Sequence, residues 1–380
     1  MKLLVPLLAA NAVAMMAAAL GLWSFTALPP ALVAHIALAL GIMPLILAAM
    51  AYFVPVLTRS GAAPLSVDGL ALLAWLGGLS LVAGLAQRNE ALGVALIIVA
   101  ALLAAKAAAS LLLWSLLRAR RGLGAPHAGL AWYVAALGFL LAALFVVPLL
   151  WLWPEQRQAL RLVHLHANLL GFVGLTAIGT LQVLLPTAAG QMDATTASRL
   201  RRDLKFAVVG SALLALGAGA STLLAAAGAA LFMLPLVRMG KRWTEVHAAH
   251  LSRLHGAATV LALASVGLIL LLLTGFGHSQ GGPLRGSDAL AGFVFAFLLP
   301  LVSGAVMQLL PVWLRPGRQG PWHDDLRHAL GRYGSVHALL FVAAGLAVTL
   351  GHGAGLWLAG AGLALLLLRL ALALPYMTKP

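Results

Sequence analysis

The chain is a succession of apolar runs about the length of a bilayer crossing, separated by short polar breaks. A spanning helix uses about 20 predominantly apolar residues. The runs cover residues 3–23, 31–54, 69–87, 91–117, 128–153, 159–185, 204–218, 221–237, 248–274, 288–311, 329–350 and 354–374. They predict an all-α integral membrane protein of twelve transmembrane helices. The first run carries no polar stretch behind it and is followed at once by another, which makes it a helix rather than a removable leader. The seventh and eighth share one apolar stretch, broken only at Gly217-Ala218-Gly219. With 63% hydrophobic and 9% charged residues, against roughly a quarter charged in a soluble domain, the chain excludes a cytosolic enzyme, a secreted scaffold and a disordered tail. Cysteine is absent, which removes disulfides, iron–sulfur clusters and thiolate metal sites. Histidine, methionine and carboxylates are the ligands left.

The net charge of +15 is distributed between the runs. No separate basic domain exists to bind nucleic acid. Lys and Arg concentrate on the cytoplasmic side of membrane proteins. With the N-terminus inside, inner segments hold Lys2, Arg59, Arg118, Arg120, Arg121, Arg199, Arg201, Arg202, Lys205, Arg238, Lys241, Arg242, Arg315, Arg318, Arg327, Arg332, Arg369 and Lys379, which is 18 of the 24. Outer segments hold Arg88, Arg157, Arg161 and Arg285, while Lys106 and Arg253 fall within runs. The asymmetry predicts both termini in the cytoplasm, in a membrane of the bacterial inner (cytoplasmic) type. The nine acids (Asp68, Glu90, Glu155, Asp193, Asp203, Glu245, Asp288, Asp324, Asp325) lie in breaks or at run ends. Proton pumps and cation-coupled carriers place an acid near mid-membrane, so this pattern argues against both.

The second, sixth and tenth runs share a pattern. They end around Pro55, Pro186 and Pro311, spaced by 131 and 125 residues, four runs each time. Gly179 and Gly304 each stand seven residues before their proline, and Gln182 and Gln308 take nearly the same offset. This predicts a single transmembrane domain of three four-helix arcs, with pseudo-repeats about 1–120, 121–240 and 241–380. Each proline is expected to end its helix at the inner face, where a missing N–H costs least.

The same register aligns histidines. His35 and His166 each stand twenty residues before their proline, and Ala291 is about twenty before Pro311. His127, His278, His323 and His352 fall in loops or at interfaces, whereas His35, His164 and His166 lie in spans near the outer face. His247, His250 and His255 begin the ninth run at i, i+3 and i+8, one helix face, with His328 and His337 at the start of the eleventh. A single buried imidazole is most often hydrogen-bonded within its bundle. Several together, with no intramembrane acid to pair with, suit haem iron or copper. His164 and His166 are i and i+2, about 200° apart on a helix, so they cannot both bind one metal from a regular helix. The repeat selects His166 as the partner of His35 and leaves His164 for a second site or a haem propionate. His250, His255 and His337 are candidates for an inner site. Gly171, Gly174 and Gly179 offer either close helix packing or clearance for a flat cofactor.

The stretch from His164-Leu165-His166-Ala167-Asn168 through Gly171 and Gly174 to Pro186 resembles a helix of haem-copper oxidase subunit I, particularly the cbb3-type and nitric-oxide-reductase-like branches. The stretch from His35 through Gly41 to Pro55 and Thr58 is similar to the NnrS family, twelve-span haem and copper proteins linked to nitric oxide stress. The resemblance covers the architecture of the whole chain, and in motif the second and sixth runs. It implies ligation of a b-type haem, with copper as a second group, by His35, His164, His166, His250, His255 and His337. A quinol or cytochrome electron donor and a homo- or hetero-oligomer in the bilayer follow from the same likeness. The chain departs from the oxidase pattern in the tenth run, which has no His, in the seventh, which lacks the copper pair, and in the missing Tyr of the sixth. The expected activity is therefore electron transfer or nitric oxide or oxygen handling, not proton-pumping terminal oxidation. The rival expectations are a metal or haem permease and a non-catalytic subunit or assembly factor.

Overall fold

The computed structural model describes residues 3–87, 89–122, 124–279 and 286–378. Lys2, Arg88, Arg285 and Lys379, used above for orientation, lie outside them, as does the side chain of His278. Every regular element among the described residues is helical. Thirteen helices follow in order: α1 Leu4–Phe25, α2 Pro30–Leu57, α3 Leu65–Ala86, α4 Glu90–Arg121, α5 Gly129–Leu152, α6 Pro154–Ala188, α7 Thr196–Ala220, α8 Thr222–Leu251, α9 Ala257–Ser279, α10 Asp288–Leu314, α11 Pro321–Gly331, α12 Gly334–Thr349 and α13 Ala354–Thr378. Among the described residues eleven are long and apolar enough to cross a membrane, or twelve if α11 and α12, bent by 42°, count as one span.

The boundaries depart from expectation where local chemistry overrides hydropathy. The seventh and eighth runs part at Ser221, which is extended and donates its N–H to Gly217 O. α7 begins at Thr196, ahead of the expected 204, and so takes in Asp203, fully buried and held by Arg202 at 2.8 Å. The ninth run begins at Ala257, not 248. Residues 248–251 belong to α8, and the chain turns through Gly256 at φ +100°, a conformation that suits glycine. Thr259 Oγ1 donates to the carbonyls of His250 and Arg253 and so satisfies the exposed end of α8.

α2, α6 and α10 share a backbone irregularity. Each contains a π-helical segment, at Ile36–Ile42, Ala167–Gly174 and Phe293–Leu298. Two residues beyond each segment stands a residue that disturbs the regular ladder: Pro44, Thr176 and Pro300. Proline has no N–H, and its ring crowds the carbonyl four residues back. A widened turn relieves that crowding. Thr176 acts from its side chain, donating Oγ1 to Phe172 O at 2.7 Å. The expected terminal prolines, Pro55, Pro186 and Pro311, lie two or three residues inside the helix ends.

The described residues form two compact units. The first comprises Ala31–Thr180 and Ala194–Leu236, the second residues 3–30, 181–193 and 237–378. In the first unit, Ala143 of α5, Ala167 of α6 and Ala215 of α7 cluster with Phe139, and small residues let these helices approach closely. α7 and α8 cross at paired glycines: a Cβ at Gly210 would stand 2.8 Å from Gly228 O, and a Cβ at Gly228 would stand 2.8 Å from Gly210 O. In the second unit Gly267 of α9 and Gly345 of α12 both press on Ala296, in the π segment of α10.

Gly228→Leu forces this crossing apart and should cost about 1–3 kcal/mol of stability, read from unfolding of the detergent-solubilised protein. Gly240→Ala, with nothing within 4 Å of the added methyl, should stay within about 0.5 kcal/mol of the parent. His127, between α4 and α5, accepts the Gly129 N–H through Nδ1 at 3.1 Å. Burial first, then Arg201 and Arg59, hold its pKa below the ordinary histidine value. The folded protein then takes up this proton less readily than the unfolded chain, so stability is whole above the unfolded pKa and falls as pH drops below it. The stability advantage of the parent over His127→Asn should therefore shrink between pH 8 and pH 5.5, as read from unfolding midpoints.

Candidate functional site

The imidazoles of α2 and α6 are built in the same way. His35 and His166 are the last residues before their π segments. His35 donates Nδ1–H to Ala31 O at 2.6 Å, and His166 donates Nδ1–H to Leu162 O at 2.8 Å, both four residues back. His164 donates Nδ1–H across to Ala143 O of α5 at 2.9 Å. A carbonyl only accepts, so in each ring the proton sits on Nδ1 and Nε2 carries the lone pair. Metal-ligating histidines adopt this arrangement, in which a backbone carbonyl fixes the tautomer and aims the other nitrogen.

Two of these rings face one another. The His35 and His164 ring centroids are 6.4 Å apart with planes at 36°. Two imidazoles bound through Nε2 to opposite sides of one ion, with bonds of about 2.0–2.1 Å, would place their centroids roughly 6.3 Å apart. The partner that the structure gives His35 is thus His164, where the repeat register pointed to His166. The cause is the i, i+2 relation: His164 turns toward α5 and His35, while His166 bonds back along its own helix. Asn168 trims the site by donating Nδ2–H to His164 O at 2.8 Å and, at 3.3 Å, to His164 Nε2. Among the described residues no three His, Asp or Glu converge on a common point. The site is a pair of imidazoles that share one tautomer.

The glycines of α6 do not add a slot for a flat group. A Cβ at Gly171 would collide with Phe139, one at Gly174 would stand 2.9 Å from Phe232, and one at Gly179 would stand 2.7 Å from Trp132. Aromatic rings of neighbouring helices already fill the clearance. Of the two sequence expectations for these glycines, close packing is the one realised.

The inner candidates are arranged with the opposite polarity. His255 lies in the turn before α9, is exposed, and accepts the Tyr333 N–H through Nδ1 at 2.8 Å, with its ring 4.9 Å from that of Tyr333. His337 is fully buried. Its Nδ1 accepts from Arg369 at 2.6 Å, and its Nε2–H donates to Ser303 Oγ at 3.1 Å. A neutral ring so bonded has no lone pair to offer a metal, and a guanidinium beside it repels a cation. His250 belongs to α8, with a buried Nδ1 that has no hydrogen-bond partner. His247, also of α8, donates Nδ1–H to Gln191 Oε1 at 3.2 Å. The single helix face expected for His247, His250 and His255 does not exist, because the helix breaks between 251 and 257. His323, expected in a loop, is buried at the start of α11, where it accepts the Gly320 N–H and donates to Arg315 O.

Arg369, counted above with the inner-segment cations, is 5% exposed within α13. Its signal was present in the sequence: it interrupts a leucine run, with Leu365–Leu368 before it and Leu370 after. No family model matches the chain, and no curated protein matches it.

The two polarities are measurable. In protein with 15N-labelled histidine, the His35, His164 and His166 signals should report a protonated Nδ1 and a bare Nε2, and those of His255 and His337 the reverse tautomer. A protonated Nε2 on His35 would remove the basis of the outer site.

Proposed function

We propose that the chain is a multi-pass inner-membrane protein, with both termini cytoplasmic, that ligates a b-type haem iron or a copper ion through Nε2 of His35 and His164 near the outer face. The observation that supports this most is the shared tautomer of the outer imidazoles, with the His35 and His164 ring centroids 6.4 Å apart. The bound metal would supply one-electron chemistry. Everything else falls to the residues of the chain. Ala31 O and Ala143 O hold the protons on Nδ1, so that both rings present lone pairs. Asn168 anchors the His164 turn and holds Nε2 in place until a stronger acceptor of its lone pair arrives. His166 keeps the same tautomer but bonds back along α6 to Leu162 O.

The carboxylates support the same assignment by their positions. Asp203 is committed to Arg202 near the start of α7, and Asp68 lies in the first turn of α3. Neither position supplies the mid-membrane acid of a proton pump. Electron transfer, fed by a quinol or cytochrome donor, is the activity that this ligand set suits best.

Purified protein should carry iron with a Soret band, or copper without one, and His35→Ala and His164→Ala should each lose or shift the signal. His127→Ala should retain it. Protein with neither metal nor Soret band would overturn the proposal. Metal that exchanges freely, with no absorbing cofactor, would instead identify a permease.

A further inference from the structure

α4 carries a cation in mid-span that the rest of the first unit leaves uncovered. Lys106 stands 16 residues after Glu90, which opens the helix, and 12 before Arg118, the first of three arginines in its last turn. At 1.5 Å per residue those ends are about 24 Å and about 18 Å away, whereas half of a hydrocarbon core is about 15 Å. The arginines mark one membrane edge, so Lys106 lies near the middle of the bilayer. Snorkelling to the interface serves lysines close to helix ends, and a four-carbon stem does not span this depth.

The opposite face fixes the rotation of α4. Ala100, Ala104, Ala107, Ala108 and Leu111 are buried. Ser80 of α3 donates Oγ–H to Leu96 O at 2.8 Å, and a Cβ at Gly84 of α3 would stand 2.9 Å from Gly93 O. Lys106 therefore cannot turn inward. It is exposed, together with Val99, Leu102, Ala109 and Leu113, which share its side of the helix at offsets of three, four and seven residues. Among the described residues its ammonium has no hydrogen bond or ion pair. Ionisable side chains inside spans almost always face a bundle interior or a water-filled cavity and are paired there. A second copy of the chain does not meet that need. Two copies packed on this face would set Lys106 against Lys106, and the nine acids lie in breaks or toward helix ends.

We propose that the face of α4 from Val99 to Leu113 docks one spanning helix of a different membrane protein, and that this helix carries an aspartate or glutamate at mid-depth to pair with Lys106. Charge complementarity selects the partner. An acid alone in lipid is as poorly placed as the lysine, and contact removes both charges from hydrocarbon. Ala109, the small residue one turn from Lys106, lets the incoming backbone approach the ammonium. The surface uses none of the imidazoles, so it and the metal site can fail separately.

The test uses the full chain in phosphatidylcholine vesicles with a synthetic spanning peptide of leucine and alanine that bears one central Asp. The chain has no cysteine, so Gly61→Cys provides a unique site for a donor dye. Gly61 has nothing within 4 Å of an added Cβ, and its neighbour Ala62 accepts from Arg118 at 3.4 Å, which sets the dye at the arginine end of α4. Energy transfer to the acceptor-labelled Asp peptide should reach half-maximum at about a tenfold lower peptide-to-lipid ratio than transfer to the same peptide with Asn. Lys106→Arg should keep that preference. Lys106→Met, at an exposed position, should erase it with an unchanged unfolding midpoint. Equal transfer to both peptides, or a preference that survives Lys106→Met, would overturn the proposal. So would a preference abolished by adding phosphatidylglycerol, which would assign Lys106 to lipid headgroups, or Lys106-dependent transfer between two labelled copies of the chain, which would assign the face to self-association.

Discussion

Lipid offers no hydrogen bonds, so each polar atom inside a membrane bundle must find its partner within the protein. The imidazoles of this chain are sorted by that requirement. His35, His164 and His166 meet it with backbone carbonyls and so keep a proton on Nδ1. His255 and His337 meet it with N–H donors and so give up a lone pair. These rings are the same residue type, but their partners make them chemically opposite. Ligand capacity is therefore decided by whether the nearest strong group is a carbonyl or an N–H.

The same requirement explains the backbone. Pro44 and Pro300 withhold an N–H in the middle of apolar helices, and the widened turns just before them redistribute the bonding that a regular ladder would lose. Thr176 reaches the same end in α6 by occupying a carbonyl with its hydroxyl. Three different local sequences thus give one irregularity at one register. A proline and a threonine have little in common in composition, but each changes how many donors reach a given carbonyl.

Much of the fold could be read from the sequence because hydropathy and span length are tightly linked. The spans, the break between the seventh and eighth, and the register shared by Pro55, Pro186 and Pro311 follow from apolar runs and their interruptions. The site was legible only in part. That α2 and α6 carry imidazoles in one register could be read, but not which ring of α6 His35 meets, because this depends on how α6 is rotated against α5 and α2. His255 was misplaced onto a helix because an apolar run does not reveal a turn at Gly256, where the backbone needs a positive φ. Arg369 was assigned to the cytoplasmic edge by a counting rule that weighs charges along the chain and does not register burial by neighbouring helices. The glycines of α6 fitted two readings until Phe139, Phe232 and Trp132 were seen against them.

Twenty residues before its terminal proline α10 has Ala291, 4% exposed, where α2 and α6 have histidine, and the residue just before its widened turn is Gly292. The irregularity therefore does not need an imidazole beside it. Its cause lies downstream, in Pro300, and it persists where no ligand side chain is present. Scaffold and chemistry are separable in this chain: the helices with widened turns form the frame, and an imidazole at the frame's edge can be gained or lost through a single codon without refolding the helix that carries it.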